Sequence, residues 1–293
     1  MIKIPVSSKI STAAWPRPGV PDYIFAVRSS GGQSLGFDLE EFDWTLEVDS
    51  HRGLVSVEYF RSDADIPGTP IGLFRYAIDD NQLREFEGLA SGAKLGERRP
   101  AMKAHPGYTE RLYTYVHAGR TIRVTINNSD EETNAAIAPL RNRINAMLSA
   151  SLKHPERAVK LGLRRQGAGF EATIENIGIE KVCFSDPKWI AAAGPLHQSV
   201  IETAEFDYKP GDPPPMLNWQ PVALDHASHY SEHEPLIVLD SHGVWKTEVP
   251  WKRPAAKRYV AFFTWANYQG QPEVDQVYRI RGRADSDRLV IEP

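Results

Sequence analysis

The sequence predicts a mostly-β chain in two folded parts: an α+β domain, a β-sheet with two helices, over residues 23–157, and an all-β immunoglobulin-like sandwich over 158–293. Three observations lead there. Apolar residues alternate with polar ones at period two in the first half, as at Phe42, Trp44, Leu46 and Val48 against Asp43, Thr45, Glu47 and Asp49, and Tyr23, Phe25 and Val27 alternate with Ile24, Ala26 and Arg28. Helical spacing occurs in only two stretches, and the second ends at His154-Pro155. From Val159 to Pro293, short β-like runs recur between glycine and proline turns, the pattern of a sandwich. The length, 293 residues, suits two domains, and 41% hydrophobic residues suffice for cores without covalent staples.

Residues 1–22 hold Pro5, Pro16, Pro18, Pro21 and a single tryptophan, Trp15. They read as an extended arm laid on the body through that ring. Tyr23 opens a strand that breaks at Ser30-Gly31-Gly32. Phe42, Trp44, Leu46 and Val48 then share one strand face, leaving Asp43, Thr45, Glu47 and Asp49 toward water. A turn at Ser50–Gly53 leads into the strand Leu54–Phe60. Asp79-Asp80 caps a helix with Leu83, Phe86, Leu89 and Ala90 on its apolar side, weakened by Gly88 and ended by Gly92. Ala93–Pro106 reads as loop. Leu112–His117 and Arg120–Asn127 form a hairpin around Ala118-Gly119, with Ile122, Val124 and Ile126 facing the core. The second helix sets Ile137, Leu140, Ile144, Leu148 and Leu152 on one face, with Pro139 in its first turn or kinking it.

The second half offers Val159–Leu163, Phe170–Ile174, Lys181–Phe184, Tyr259–Tyr268 and Val277–Arg283 as strands, and Ala284–Asp287 as a turn into Leu289–Ile291. Asp212–Pro215 reads as a rigid linker. The residues Glu171–Gly178 resemble the strand, turn and strand of immunoglobulin-like domains.

Charge and cysteine content narrow the function. The net charge is −4 and neither half is net positive, which speaks against nucleic acid as a partner. One cysteine, Cys183, forbids an intrachain disulfide. That suits the cytoplasm, or the periplasm if a signal peptide has been removed. MIKIPVSSKI lacks an apolar signal core, and no run approaches a membrane span. No membrane partner is expected.

A resemblance rests on the early strand ending in Arg28-Ser29-Ser30-Gly31-Gly32 and on the later Tyr108–Tyr115. A Gly119-Arg120 turn, a strand and a closing leucine-rich helix follow. Over roughly residues 22–154 this order resembles the emfourin type of small metallopeptidase inhibitor. The chain adds a segment around Leu35–Phe60, the arm and a whole second domain. The resemblance implies a β-rich fold with flanking helices and a protein-binding role.

Candidate chemistry is sparse. Asp225–His233 is the one dense ligand cluster, and His226, His229 and His233 would suit zinc on a helix. On a strand His226 and His229 point apart, and the neighbours read as β or loop, so a solvated loop is preferred. His233-Glu234 runs into Pro235, which rules out a helical HExxH motif. Gly167-Ala168-Gly169 resembles a dinucleotide loop but precedes a β-like segment, and is read as a hairpin turn. Ser29–Ser34 lacks the Lys-Ser/Thr pair of a phosphate loop, and no GxSxG elbow occurs. Cys183 sits in an apolar strand and reads as buried and inert. Arg279, Arg281 and Arg283 read as one charged face of an edge strand. Trp219, Trp245, Trp251 and Trp265 read as core and rim aromatics.

What remains is a surface. Asp38, Glu40, Glu41, Asp43, Glu47 and Asp49 form an acidic stretch without a basic residue among them. Its bland reading is a solvated strand face plus loop. Its functional reading is electrostatic docking to a basic protein. The expected function is a non-catalytic binding or inhibitory protein, an immunity-like antagonist of a bacterial enzyme or toxin. Gly31, Gly32, Gln33, Asp43, Glu47 and Asp49 are the contact candidates, and no cofactor is expected. Two other classes stay open: an enzyme assembled across the chain with residues such as His226, His229 or Glu232, and a carbohydrate-binding module. The sequence leaves the oligomeric state open.

Overall fold

A computed structural model describes residues 19, 22–30, 42–62, 68–97, 109–127, 134–190, 197–206, 217–222, 224, 235–254, 257–267 and 278–293. Among the described residues the chain is mostly β, with two substantial helices, and it divides into two compact units. The first is residues 1–58 with 73–154, and the second is 59–72 with 155–293.

The first unit carries β1 (Tyr23–Ser30), β2 (Phe42–Asp49), β3 (Leu54–Tyr59), β4 (Ile71–Ala77), β5 (Glu110–His117) and β6 (Arg120–Asn127). Their order is β4-β3-β2-β1-β5-β6, so β1 sits between β2 and the returning β5. The ends Tyr59 and Ile71–Gly72 count with the second unit. Its helices are α1 (Asp80–Gly92) and α2 (Ala138–Ser151).

Alternation decides which face is buried. Tyr23, Phe25 and Val27 are at most 1% exposed, and their cross-strand partners Val48, Leu46, Tyr115 and Tyr113 are buried with them. Helix α1 covers this layer: the Phe86 ring lies 5.0 Å from Phe25, edge to face, and the Tyr23 hydroxyl donates to the Leu83 carbonyl at 2.9 Å. Asp79 caps α1 in a reciprocal box with Gln82. The helix ends at Gly92, as expected, and the left-handed residue that follows is Lys94, at φ +49°. Within the stretch read as loop, Leu95–Glu97 forms a 3-10 turn with Leu95 buried.

The buried stripe of α2 is Ile137, Leu140, Ile144, Met147 and Ser151. The expectation of Leu148 and Leu152 is corrected: Leu148 is half-buried and Leu152 is 37% exposed. Steps of four from Ile144 drift around the helix, whereas the step of three to Met147 stays on the core side. Pro139 lies in the first turn, where its missing N–H costs nothing. The hairpin between β5 and β6 turns at Ala118 and Gly119, both with positive φ, the geometry that matches strand twist.

In the second unit, β7 (Pro155–Gln166), β8 (Gly169–Asn176) and β13 (Val244–Pro250) align in the order β13-β8-β7. Strand β7 starts at Pro155 itself, earlier than the expected Val159. A second sheet orders β11 (Gln220–Val222), β10 (His197–Glu205), β14 (Tyr259–Asn267) and β16 (Gly282–Asp285), with β17 (Leu289–Ile291) also on β14. A third joins β12 (Leu236–Leu239), β9 (Val182–Ser185) and β15 (Tyr278–Arg279), the last parallel to β9. One helical turn, α3 (Pro187–Ile190), appears where no helix was expected. Asp186 Oδ1 accepts from Lys188 N at its start. Phe170, Ile174, Phe184, Ile201, Phe263 and Trp265 belong to the common core of this unit.

Two readings change here. The run Val277–Arg283 is not one strand, because it splits at Ile280-Arg281 into β15 and β16 of different sheets. Gly282 allows the break: its φ is +114°, and a Cβ there would meet the Phe60 carbonyl oxygen at 1.9 Å. The arginines therefore do not share an edge face. Arg279 donates to Ser185 Oγ, Arg281 is exposed, and Arg283 faces Asp285. The second change is the segment 59–72, which sequence patterning placed with the first domain. Phe60 O accepts from Arg283 N at 2.8 Å, Ser62 N donates to Arg283 O at 2.9 Å, and Asp285 N donates to Ser62 Oγ at 3.1 Å. Phe60–Ser62 are stitched onto β16.

Candidate protein interface

Among the described residues, the strand pairing of the first unit builds one broad surface. The face opposite α1 presents cross-strand rows. Asp49, Ile24, Val116 and Thr121 form one row, Glu47, Ala26, Thr114 and Arg123 the next, and Thr45, Arg28, Leu112 and Thr125 the third. None of these twelve residues is buried. Ile24 is 37% exposed, while its neighbour Phe25 on the other face is fully buried. Among the described residues the sheet thus has one side packed and one side partly exposed, with Ile24, Ala26, Leu112 and Val116 as a modest apolar centre. An antiparallel sheet tolerates this arrangement.

The expected contact residues fall on this surface unequally. Glu47 is exposed in the middle row, and Asp43 is half-buried near the end of β2. Asp49 does not point freely to water, as the sequence reading had it. Its Oδ1 accepts from His51 N at 2.9 Å and Arg52 N at 3.1 Å, its Oδ2 lies 3.5 Å from Arg52 Nε, and only 14% of the side chain is exposed. An aspartate just before a two-strand turn satisfies turn amides, a local demand stronger than strand alternation. Gly31, Gly32 and Gln33 lie outside the described residues, as do Asp38, Glu40 and Glu41 and the Phe42 side chain. The register shifts between Ser29, opposite Trp44, and Ser30, opposite Phe42, which leaves Asp43 of β2 without a cross-strand residue on β1.

Trp44 is half-buried rather than a core ring, with the Arg111 guanidinium 5.3 Å above it. The surface is also not uniformly acidic. Across the middle row the charge runs from Glu47 on β2 to Arg123 on β6, three strand spacings or about 14 Å apart.

One polar chain escaped sequence reasoning, because it joins α1 to β5. Ser91 Oγ donates to Glu87 Oε1 at 3.0 Å and lies 3.5 Å from the Tyr115 hydroxyl, whose ring stacks on His117 at 5.7 Å. Burial pushes the Tyr115 phenol above its ordinary pKa, against the Ser91 hydrogen bond and with help from the Glu87 charge, so it stays protonated. Burial raises Tyr23 likewise, and Tyr76 is pushed up to about 12. We read the chain as a joint between helix and sheet, because these phenols are held neutral.

His226, His229, His233 and Glu232 lie outside the described residues, as do Trp15 and Asp212–Pro215. Among the described residues no group of three His, Cys, Asp or Glu side chains is placed to hold a metal. Gly167-Ala168 forms the turn of the β7–β8 hairpin, with Gly167 at φ +53°. Cys183 is buried in β9. Trp265 is 1% exposed, Trp251 lies between Phe170 and Tyr259, and Trp219 meets Phe262 edge-on. Trp245 is half-buried against the core, so these four rings form no solvent-facing row. A recess of about 500 Å³ in the second unit is lined by Arg165, Arg253 and residues 290–293. The Glu292 carboxylate there is already held by Arg258 at 2.9 Å. Among the described residues, no helix is long and apolar enough to cross a membrane. No protein-family model matches the chain, and no curated protein matches it.

Proposed function

We propose that this chain is a non-catalytic binding or inhibitory protein, an antagonist of an enzyme or toxin with a basic surface, and that it engages its target through the bare sheet face of the first unit. The observation that carries the proposal is the asymmetry of that sheet: helices and a sealed aromatic layer on one side, Ile24, Glu47, Leu112 and Val116 facing out on the other. Rows of small apolar and hydroxyl side chains framed by charge suit complementarity with a protein surface. On this reading the first unit is the emfourin-like module its residues suggested. The second is an immunoglobulin-like sandwich that serves as a scaffold, and the protein works in the cytoplasm.

The test is capture from the native organism with the wild-type chain beside the Asp43→Lys/Glu47→Lys variant, read by mass spectrometry. A target held by the face binds the wild type and is lost by the variant. Capture of the same proteins in equal amounts by both would overturn the reading.

A further inference from the structure

The edge of the first unit's sheet has a chemistry of its own. Strand β6 pairs with β5 in unbroken register from Glu110↔Asn127 to His117↔Arg120. It ends the strand order, and among the described residues no strand pairs with its other edge. Natural edges are blunted by proline, bulges, shortness or charge, and of these β6 carries only charge, at Arg120 and Arg123. β6 runs eight residues, RTIRVTIN, with no proline or glycine and no register shift against β5. Five of the eight are β-branched, which keeps the backbone extended.

The side chains flanking this edge define what fits it. Thr121, Arg123 and Thr125 stand on the bare face, and Ile122, Val124 and Ile126 on the helix-covered face. Arg120 and Arg123 are exposed and form no ion pair among the described residues, and the strand holds no acidic residue. We infer that the outer edge of β6 is a docking site for an extended segment of the partner protein that alternates acidic and apolar side chains. The segment adds as a further strand of the sheet. Its backbone pairs with the row of amides and carbonyls on β6, its carboxylates sit beside Arg123 on the exposed face, and its apolar side chains continue the row of Val124 and Ile126 on the other, next to the Leu95–Glu97 turn that lies against Ile122. A second copy of this chain fits less well, because β6 against β6 lines up four arginines along one edge with no acid to offset them. The inference deepens the protein-binding reading and rests on it.

The probe is a synthetic ten-residue peptide alternating glutamate and valine, N-methylated on every second amide so that only one of its edges can pair. With the full chain, it is expected to bind and to protect β6 amides from hydrogen exchange. A control peptide methylated on both edges should not bind. The Arg123→Glu variant should bind at least tenfold more weakly and should prefer the lysine-valine counterpart. Arg123→Thr, matching its neighbours on the strand, supplies a milder variant with the same direction of effect. Equal binding of the doubly methylated control would overturn the inference. So would unchanged exchange at β6, or β6 protection that grows with protein concentration in the absence of peptide. Asp43→Lys/Glu47→Lys separates the two proposals: it should leave peptide binding unchanged while removing target capture by the face.

Discussion

Ser50 holds both backbone groups of Tyr23: its Oγ accepts from Tyr23 N at 2.8 Å and donates to Tyr23 O at 2.7 Å. Both residues are buried, and the pair closes the β1–β2 ladder where the Ser50–Gly53 turn begins. It therefore sets the register that puts Phe25 inward and Ile24 outward.

Ser50→Ala is expected to destabilise the first unit by about 1–3 kcal/mol, because the Tyr23 N–H loses its side-chain acceptor in a buried setting. Urea unfolding followed by aromatic fluorescence measures this. A loss near zero would mean the register is held elsewhere.

Trp44→Ala should cost about 1–2 kcal/mol, below the roughly 3–5 kcal/mol of a fully buried ring, because Trp44 is half-buried beneath Arg111. The same unfolding measurement reads it. A loss at the upper figure would place the ring deeper than its exposure indicates.

Asn176 is the polar centre of the second unit. Its Nδ2 donates to the carbonyls of Glu180, Leu239 and Asp240 at 2.8, 3.2 and 2.9 Å, and its Oδ1 accepts from Gly178 N. Asn176→Leu leaves several buried groups unsatisfied and should cost about 3 kcal/mol or more, at roughly 1–3 kcal/mol for each group. Calorimetry that separates the two units should show the loss in the second. A small loss would mean that water reaches these carbonyls.

Gly282→Ala and Gly119→Ala form a matched pair. A Cβ at Gly119 meets nothing within 4 Å and carries only the cost of its positive φ, about 1–2 kcal/mol. A Cβ at Gly282 collides with the Phe60 backbone, so that variant should unfold the second unit at a markedly lower temperature. Similar melting temperatures for the two would show that Phe60–Ser62 are held only loosely on β16.

Glu202 supplies a pH dependence. Desolvation raises its pKa, and the Arg283 charge offsets this only in part. A carboxyl whose folded pKa lies above its unfolded value favours folding while protonated. That contribution is lost as pH rises through the folded value. Glu202→Gln should therefore raise the melting temperature at neutral pH, with the gain fading below the ordinary carboxylate range. A loss at neutral pH would mean that Arg283 outweighs burial.

Sequence alone determined the local pieces. Alternation in Tyr23–Ser30, the cap at Asp79, the turn at Ala118-Gly119 and the hairpin at Gly167-Ala168 all follow from backbone preference and from the period of apolar residues. These are short-range effects, carried by neighbours within a few positions. Tertiary structure alone decided the rest. It places Phe60–Ser62 on β16, splits Val277–Arg283 between two sheets, turns Met147 rather than Leu152 inward, and draws Asp49 into a turn. The bare face and the β6 edge emerge the same way, because β1 must pair with β5 across a gap of 79 residues before either surface exists. Periodicity shows that a strand has two faces; which face stays in water depends on where the helices, distant in the chain, come to pack.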